Sequence, residues 1–286
     1  MKKFILISIL LLNFSMTNPA YAACSGEDCC TVTAGVVTFP DSDSCAIEPD
    51  SYSITMFKMY LCTSEPSAPT SSAATGYTAA GCVLTFEATS GSAVTITPGG
   101  NAQAFPGATF NRPGNATYTH GVMLIDNVFT IKLDREFNKS LTGGSSGTGK
   151  FCATKAGGAD ETDGESTVCS ATDNLTAGAW AAELTSFQGI GSFVTSVTAS
   201  NLNGTGASIS GHLVDTDEQI AGSRGAVANL IGIQTFAAPV VITKDFSGLD
   251  IAFGVNQGAT CWDDGGSDVI ECGSGPFQAV ITALSY

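Results

Sequence analysis

The chain has 286 residues, with 11 Lys and Arg against 26 Asp and Glu, a formal net charge of −15. Apolar residues make up 43% and charged residues 13%, where about 25% charged is usual. This much apolar residue excludes a disordered chain, and this much acid excludes a protein that grips a phosphate backbone.

Lys2 and Lys3 precede an apolar run over residues 4–14, and Ala20-Tyr21-Ala22 is a small-x-small cleavage site. That is the pattern of a secretory signal peptide over residues 1–22, short enough to look bacterial and too short to span a bilayer. Its removal takes two lysines and no acid, leaving a charge of 9 − 26 = −17. Cys24 follows Tyr21-Ala22-Ala23, but Tyr stands where a lipobox has Leu, and lipidation would leave nine cysteines, an odd number. No later stretch reaches 18 apolar residues, so no transmembrane segment is expected. The expected location is the periplasm, the cell surface or the medium.

All ten cysteines, Cys24, Cys29, Cys30, Cys45, Cys62, Cys82, Cys152, Cys169, Cys261 and Cys272, follow the cleavage site. An even count in an exported chain reads as disulfides. Sequence proximity suggests Cys62–Cys82, Cys152–Cys169 and Cys261–Cys272, with the four N-terminal cysteines pairing among themselves. A direct Cys29–Cys30 bond is disfavoured by disulfide geometry.

Short apolar and β-branched runs recur along the chain, separated by Gly, Pro, Ser, Asn and Asp. Residues 52–62 begin with strict alternation; residues 82–87 and 93–97 are shorter strands. Residues 122–125 and 128–133 flank Asp126-Asn127, which reads as a hairpin turn. Later strands are expected at 192–199, 207–214, 240–243, 249–255 and 277–284. Strands this short and evenly spaced indicate an all-β protein, a β-sandwich or barrel with little helix. The best helical stretches are 176–187 and 225–236, both Ala-rich and Gly-interrupted. The Gly/Ser run at 139–150 is the clearest break in composition and reads as a linker or a long loop. The expected organisation is a signal peptide (1–22), an N-terminal sandwich (23–138), the linker or loop (139–150) and a C-terminal β-rich domain (151–286).

Arg112-Pro113-Gly114-Asn115-Ala116-Thr117-Tyr118 leads into an apolar strand. It resembles the Pro-Gly-x-Tyr signature of prealbumin-like and related immunoglobulin-like sandwich domains. The resemblance covers about ten residues and implies a fold class, with Pro-Gly making a turn and the Tyr packing at the corner of the next strand.

Motifs with chemical meaning are few. Gly143-Gly144-Ser145-Ser146-Gly147 matches G-x-S-x-G, but a nucleophile elbow needs a strand before it and a helix after it, so a flexible loop is expected. A near P-loop at 144–150 fails because Phe151 stands where Ser or Thr should bind Mg²⁺. His120 and His212 have no neighbours at metal or triad spacing. Asp215-Thr216-Asp217-Glu218 reads as a solvated loop. The segment 261–272 places Asp263, Asp264, Asp268 and Glu271 beside Trp262 inside one disulfide loop. Hard oxygen ligands on a Gly turn suit Ca²⁺, and an aromatic face beside acids suits a sugar ring.

The composition therefore favours a secreted or surface-exposed structural or adhesive protein, a subunit of a fibre, pilus-like or surface layer, without catalytic residues. Its partners would be further copies of itself, or a cell-surface glycan or protein, and no nucleic acid. The alternating C-terminal strand weakly resembles that of donor-strand pilins. The alternative is an extracellular carbohydrate- or Ca²⁺-binding β-sandwich module; a third is a secreted hydrolase with unassigned carboxylates.

Overall fold

A computed structural model describes residues 29–39, 44–98, 105–160, 165–187, 192–200, 207–263, 268–275 and 277–285. The expected signal peptide (1–22) and Cys24 lie outside these residues. Alternating and β-branched runs give twenty strands in chain order. The first ten are β1 Thr31–Thr33, β2 Val36–Thr38, β3 Ser44–Ile47, β4 Ser51–Cys62, β5 Cys82–Ile96, β6 Thr109–Phe110, β7 Ala116–Asp126, β8 Val128–Lys132, β9 Asp134–Gly143 and β10 Thr148–Thr154. There follow β11 Gly157–Asp160, β12 Thr167–Ser170, β13 Trp180–Glu183, β14 Ser196–Ser200, β15 Ser208–Val214, β16 Asn229–Ile242, β17 Phe246–Gly254, β18 Ala259–Asp263, β19 Val269–Ser274 and β20 Gln278–Ser285.

The strands form two large curled sheets and a small one. The first runs β1-β2-β9-β19-β18-β3, with β10 and then β12 continuing from β9. The second runs β11-β13-β8-β4-β7-β16-β15-β14, with β5 on β4 and β6 on β5. β17 and β20 pair antiparallel as the third. Parallel pairs β2/β9, β9/β19 and β11/β13 occur among antiparallel ones, a departure from the antiparallel sheets of an immunoglobulin-like sandwich. The local corner is present nonetheless. Tyr118 is buried, and its hydroxyl donates to Gly114 O at 2.9 Å.

Three expectations are corrected. First, Asp126-Asn127 is no hairpin. β7 and β8 both run antiparallel to β4, so one continues the other across Asn127. A tight hairpin turn needs positive φ at its centre, and neither residue has it. Instead Asp126 Oδ1 accepts from Val128 N at 3.1 Å, and Asn127 O accepts from Leu184 N at 2.8 Å. At this point the strand exchanges its neighbour β16 for β13. One residue further on from β8, buried Leu133 turns the chain into β9 and the other sheet.

Second, the two helical stretches are not helical. Residues 176–187 contain β13, and residues 225–236 hold the end of a 3-10 turn, Arg224–Ala226, and the start of β16. β16 lies between β7 and β15 and is buried continuously from Leu230 to Gln234. Such a run has no strand periodicity to distinguish it from a buried helix.

Third, residues 139–150 are neither a linker nor a long loop: they are the end of β9, a short turn and the start of β10. Strands on both sides of them share both large sheets. The central core includes Val37, Tyr52, Ile54, Met56, Phe129 and Phe137 from before this hairpin. It includes Cys152, Ile251, Cys261, Ile270 and Ala279 from after it.

Among the described residues, four disulfides cross-link the fold: Cys30–Cys45, Cys62–Cys82, Cys152–Cys169 and Cys261–Cys272. Cys29 is disulfide-bonded as well. The last three of the four join residues directly opposite each other on antiparallel strands. Because Cys62–Cys82 closes a separation of 20 residues, removing it frees a loop worth about 3 kcal/mol of chain entropy. The Cys62→Ala/Cys82→Ala variant should lose about that much stability, read from the urea midpoint.

Candidate functional site

Glu271 is the most deeply buried charged side chain among the described residues, with 1% exposure. It stands on β19 opposite Trp262 of β18. A buried carboxylate is tolerated only when donors replace its water. Here Glu165 N donates to Oε1 at 2.7 Å, and Ser166 N donates to Oε2 at 2.7 Å. Ser166 Oγ donates to the same Oε2 at 2.5 Å, and in turn accepts from Cys272 N at 2.8 Å. Glu165 holds φ at 121°, a region side chains rarely adopt, and its strained amide points at the carboxylate.

The Gly/Ser run completes this enclosure. A Cβ on Gly144 would lie 1.3 Å from Glu271 Oε1, and one on Gly147 would lie 2.1 Å from Cys169 O. Gly147 also has φ of +80°. These glycines permit close approach, which is a different use of glycine from flexibility. Gly144 N donates to Ile270 O and Thr167 Oγ1, and Ser145 N donates to Thr167 O. Thr167 Oγ1 donates to Ile270 O. Three stretches separate in sequence thus meet at Glu271: the 143–147 motif, residues 165–167 just before Cys169, and the β18–β19 segment.

Lys155 sits at the rim. Its Nζ donates to Ser145 Oγ at 3.1 Å, lies 3.2 Å from Glu165 Oε2, and rests 5.5 Å from the centre of the buried Trp180 ring. Ser145 and Lys155 are a hydroxyl–amine pair at hydrogen-bond distance. The Gly144 and Ser145 amides, which an oxyanion would need, already donate within the knot. Ser145 also lies in a strand–turn–strand, without the helix of a nucleophile elbow.

Of the four carboxylates expected to gather around Ca²⁺, Glu271 and Asp268 have different partners. Glu271 has both oxygens committed to the knot. Asp268 pairs with Lys139 at 2.5 Å, and its backbone, at φ 58°, accepts from Thr142 N. Asp263 ends β18, and Asp264 lies outside the described residues. Among the described residues, no group of three or more His, Cys, Asp or Glu is placed to hold a metal ion. Trp262 is half-buried, and its ring lies against Gly273, about 3.2 Å from where a Cβ would be.

The other sequence motifs serve turns and strands. Asp215 Oδ1 accepts from Asp217 N at 2.9 Å and Gln219 N at 3.0 Å, closing a turn. That turn presents Glu218 to Lys58 at 2.7 Å and to the Tyr77 hydroxyl at 3.1 Å, where Tyr77 stacks on Tyr60. The hydrogen bond to Glu218 raises the Lys58 pKa. His120 Nδ1 bonds Thr119 Oγ1 at 2.8 Å, and burial lowers its pKa. His212 lies between Ser196 Oγ at 2.9 Å and Ser210 Oγ at 3.1 Å, and burial lowers its pKa too.

Comparison with models of known families, with curated proteins and with solved structures finds no match to this chain.

Three predictions follow from this geometry. Glu271→Gln turns one acceptor into a donor facing another donor. It should destabilise the protein by about 2–4 kcal/mol. Asp268→Asn, which removes half of an exposed pair, should change stability by less than about 1 kcal/mol. Chemical denaturation measures both. His212 makes a local contribution to pH dependence, because burial holds its folded pKa below the ordinary 6.5. Below that value the unfolded ring binds protons that the folded ring resists, so the stability from the neutral ring is lost as pH falls through the folded pKa. Amides of β14 and β15 should exchange faster at pH 5 than at pH 7.5, after correction for intrinsic rates.

Proposed function

We propose that the protein is a non-catalytic structural or adhesive building block of an exported assembly. The carrying observation is where the covalent cross-links lie. Cys62–Cys82, Cys152–Cys169 and Cys261–Cys272 are rungs across directly opposed strands, distributed over both large sheets. A sheet under load or attack opens by separating neighbouring strands, and a covalent rung between opposed residues blocks that motion locally. Buried charge supports the same reading, because Glu271 holds three segments of chain together. Such a molecule is built for durability.

The four disulfides fit an oxidising compartment, extracellular or periplasmic. No helix among the described residues is long and apolar enough to cross a membrane. Purified exported protein should form polymers or ordered arrays, visible by negative-stain microscopy, and should resist protease until reduced. A monodisperse monomer that binds a sugar on a glycan array would overturn this reading and assign the protein to the binding modules.

A further inference from the structure

We propose that β14 is a self-association edge, along which two copies pair antiparallel about a twofold axis at Thr198 and join their ten-stranded sheets into one. The proposal rests on the building-block reading and adds to it a location and a register.

β14 is the terminal strand of its sheet. β15 pairs with one edge, and among the described residues no strand pairs with the other. A free strand edge carries unmet N–H and C=O groups and is a template for another strand. Natural proteins usually protect such edges with Lys, Pro, inward charges or a covering loop. β14 has none of those residues: its sequence is Ser196-Val197-Thr198-Ala199-Ser200. Four of these five residues are exposed, and Val197 is 45% exposed. Val197 lies beside Phe187 over Gly211, both within reach of the position a Cβ would take there. Phe193, just before the strand, is 39% exposed.

Charge identifies the occupant. Residues 184–214 contain no Asp, Glu, Lys or Arg, in a chain that carries 26 acids and 11 bases. Two copies of a strongly acidic protein repel over most of their surface. This segment is the longest of the chain without a charged residue of its own, so an approaching copy meets no like charge from the strand itself. An acidic or basic partner would find no complementary charge on β14, whereas an identical strand finds a matching one. Pairing about Thr198 sets Ser196 against Ser200, Val197 against Ala199, and Thr198 against its own copy. A twofold contact is isologous, so every favourable pair occurs twice.

The test uses the full exported chain, residues 23–286, in sedimentation velocity over a concentration series. Wild type should associate, and the association should change little with salt. Thr198→Lys sets two ammonium groups directly opposite each other and should weaken association at least tenfold; Thr198→Glu should do the same. An equimolar mixture of the two variants places Lys against Glu and should restore association as a heterodimer. Melting temperature and disulfide-intact mass confirm that each variant is folded. A wild type that stays monomeric, a Thr198→Lys variant that associates like wild type, or folded variants that fail to combine would each overturn the proposal. Polymers that persist unchanged in Thr198→Lys would leave the building-block reading intact and refute this edge. Dimers that obey the charge swap but never polymerise would keep the edge and refute that reading.

Discussion

A carboxylate removed from water must be met by donors held in place, and in this protein that requirement falls on Glu271. Its partners come from the 165–167 segment, and the space it occupies exists because residue 144 has no side chain. The β18–β19 hairpin, the β9–β10 turn and the segment leading into β12 are therefore mutually dependent. Loss of any one exposes a charge that cannot be left buried unpaired. The strained backbone of Glu165 fits this account, since an unfavourable φ persists only where surrounding structure over-determines it.

Around this point the sheets are joined by the chain crossing between them, by hydrogen bonds and by a shared apolar core. The chain passes from one large sheet to the other at Leu133, with Thr154 N donating to Leu133 O at 2.9 Å and Leu133 N donating to Thr154 Oγ1 at 3.1 Å. Asp50 braces the same corner through Asp134 N and Arg135. The small β17–β20 sheet is held by apolar packing of Ile251 and Ala279 in the central core and by a side-chain amide from β16. Buried Gln234 donates to Ala279 O at 2.7 Å and accepts from Ala279 N at 3.3 Å, so its amide acts like a neighbouring strand. That attachment gives the alternating C-terminal strand an intramolecular partner.

Strand content was readable because alternation and β-branching are local properties. The neighbouring disulfides were readable because short loops close at little entropic cost. Other features were hidden for identifiable reasons. The glycines at 143–149 look like linker material, and only the opposing backbone and carboxylate explain them. Glu271 sits in an acidic-looking stretch with Asp263, Asp264 and Asp268, and the sequence carries no sign that Glu271 is enclosed. Its partners Glu165 and Ser166 lie more than 100 residues away. The Asp126-Asn127 pair has turn chemistry, but the long edge of β4 keeps the strand running through it. The Pro113-Gly114 turn and Tyr118 foretold a local corner spanning five residues, while the strand order depends on pairings such as β2 with β9 that leave no mark in the sequence.

Strands on both sides of the β9–β10 turn share one core, and the buried charge of Glu271 ties three segments of that β body together. Hydrogen exchange at the Glu165 and Ser166 amides tests this most directly, because both protons point into Glu271. If the carboxylate is the anchor, these two amides should be among the slowest to exchange, tracking global unfolding as core strands do. Exchange at the rate of an exposed loop, with the rest of the sheet still protected, would contradict it.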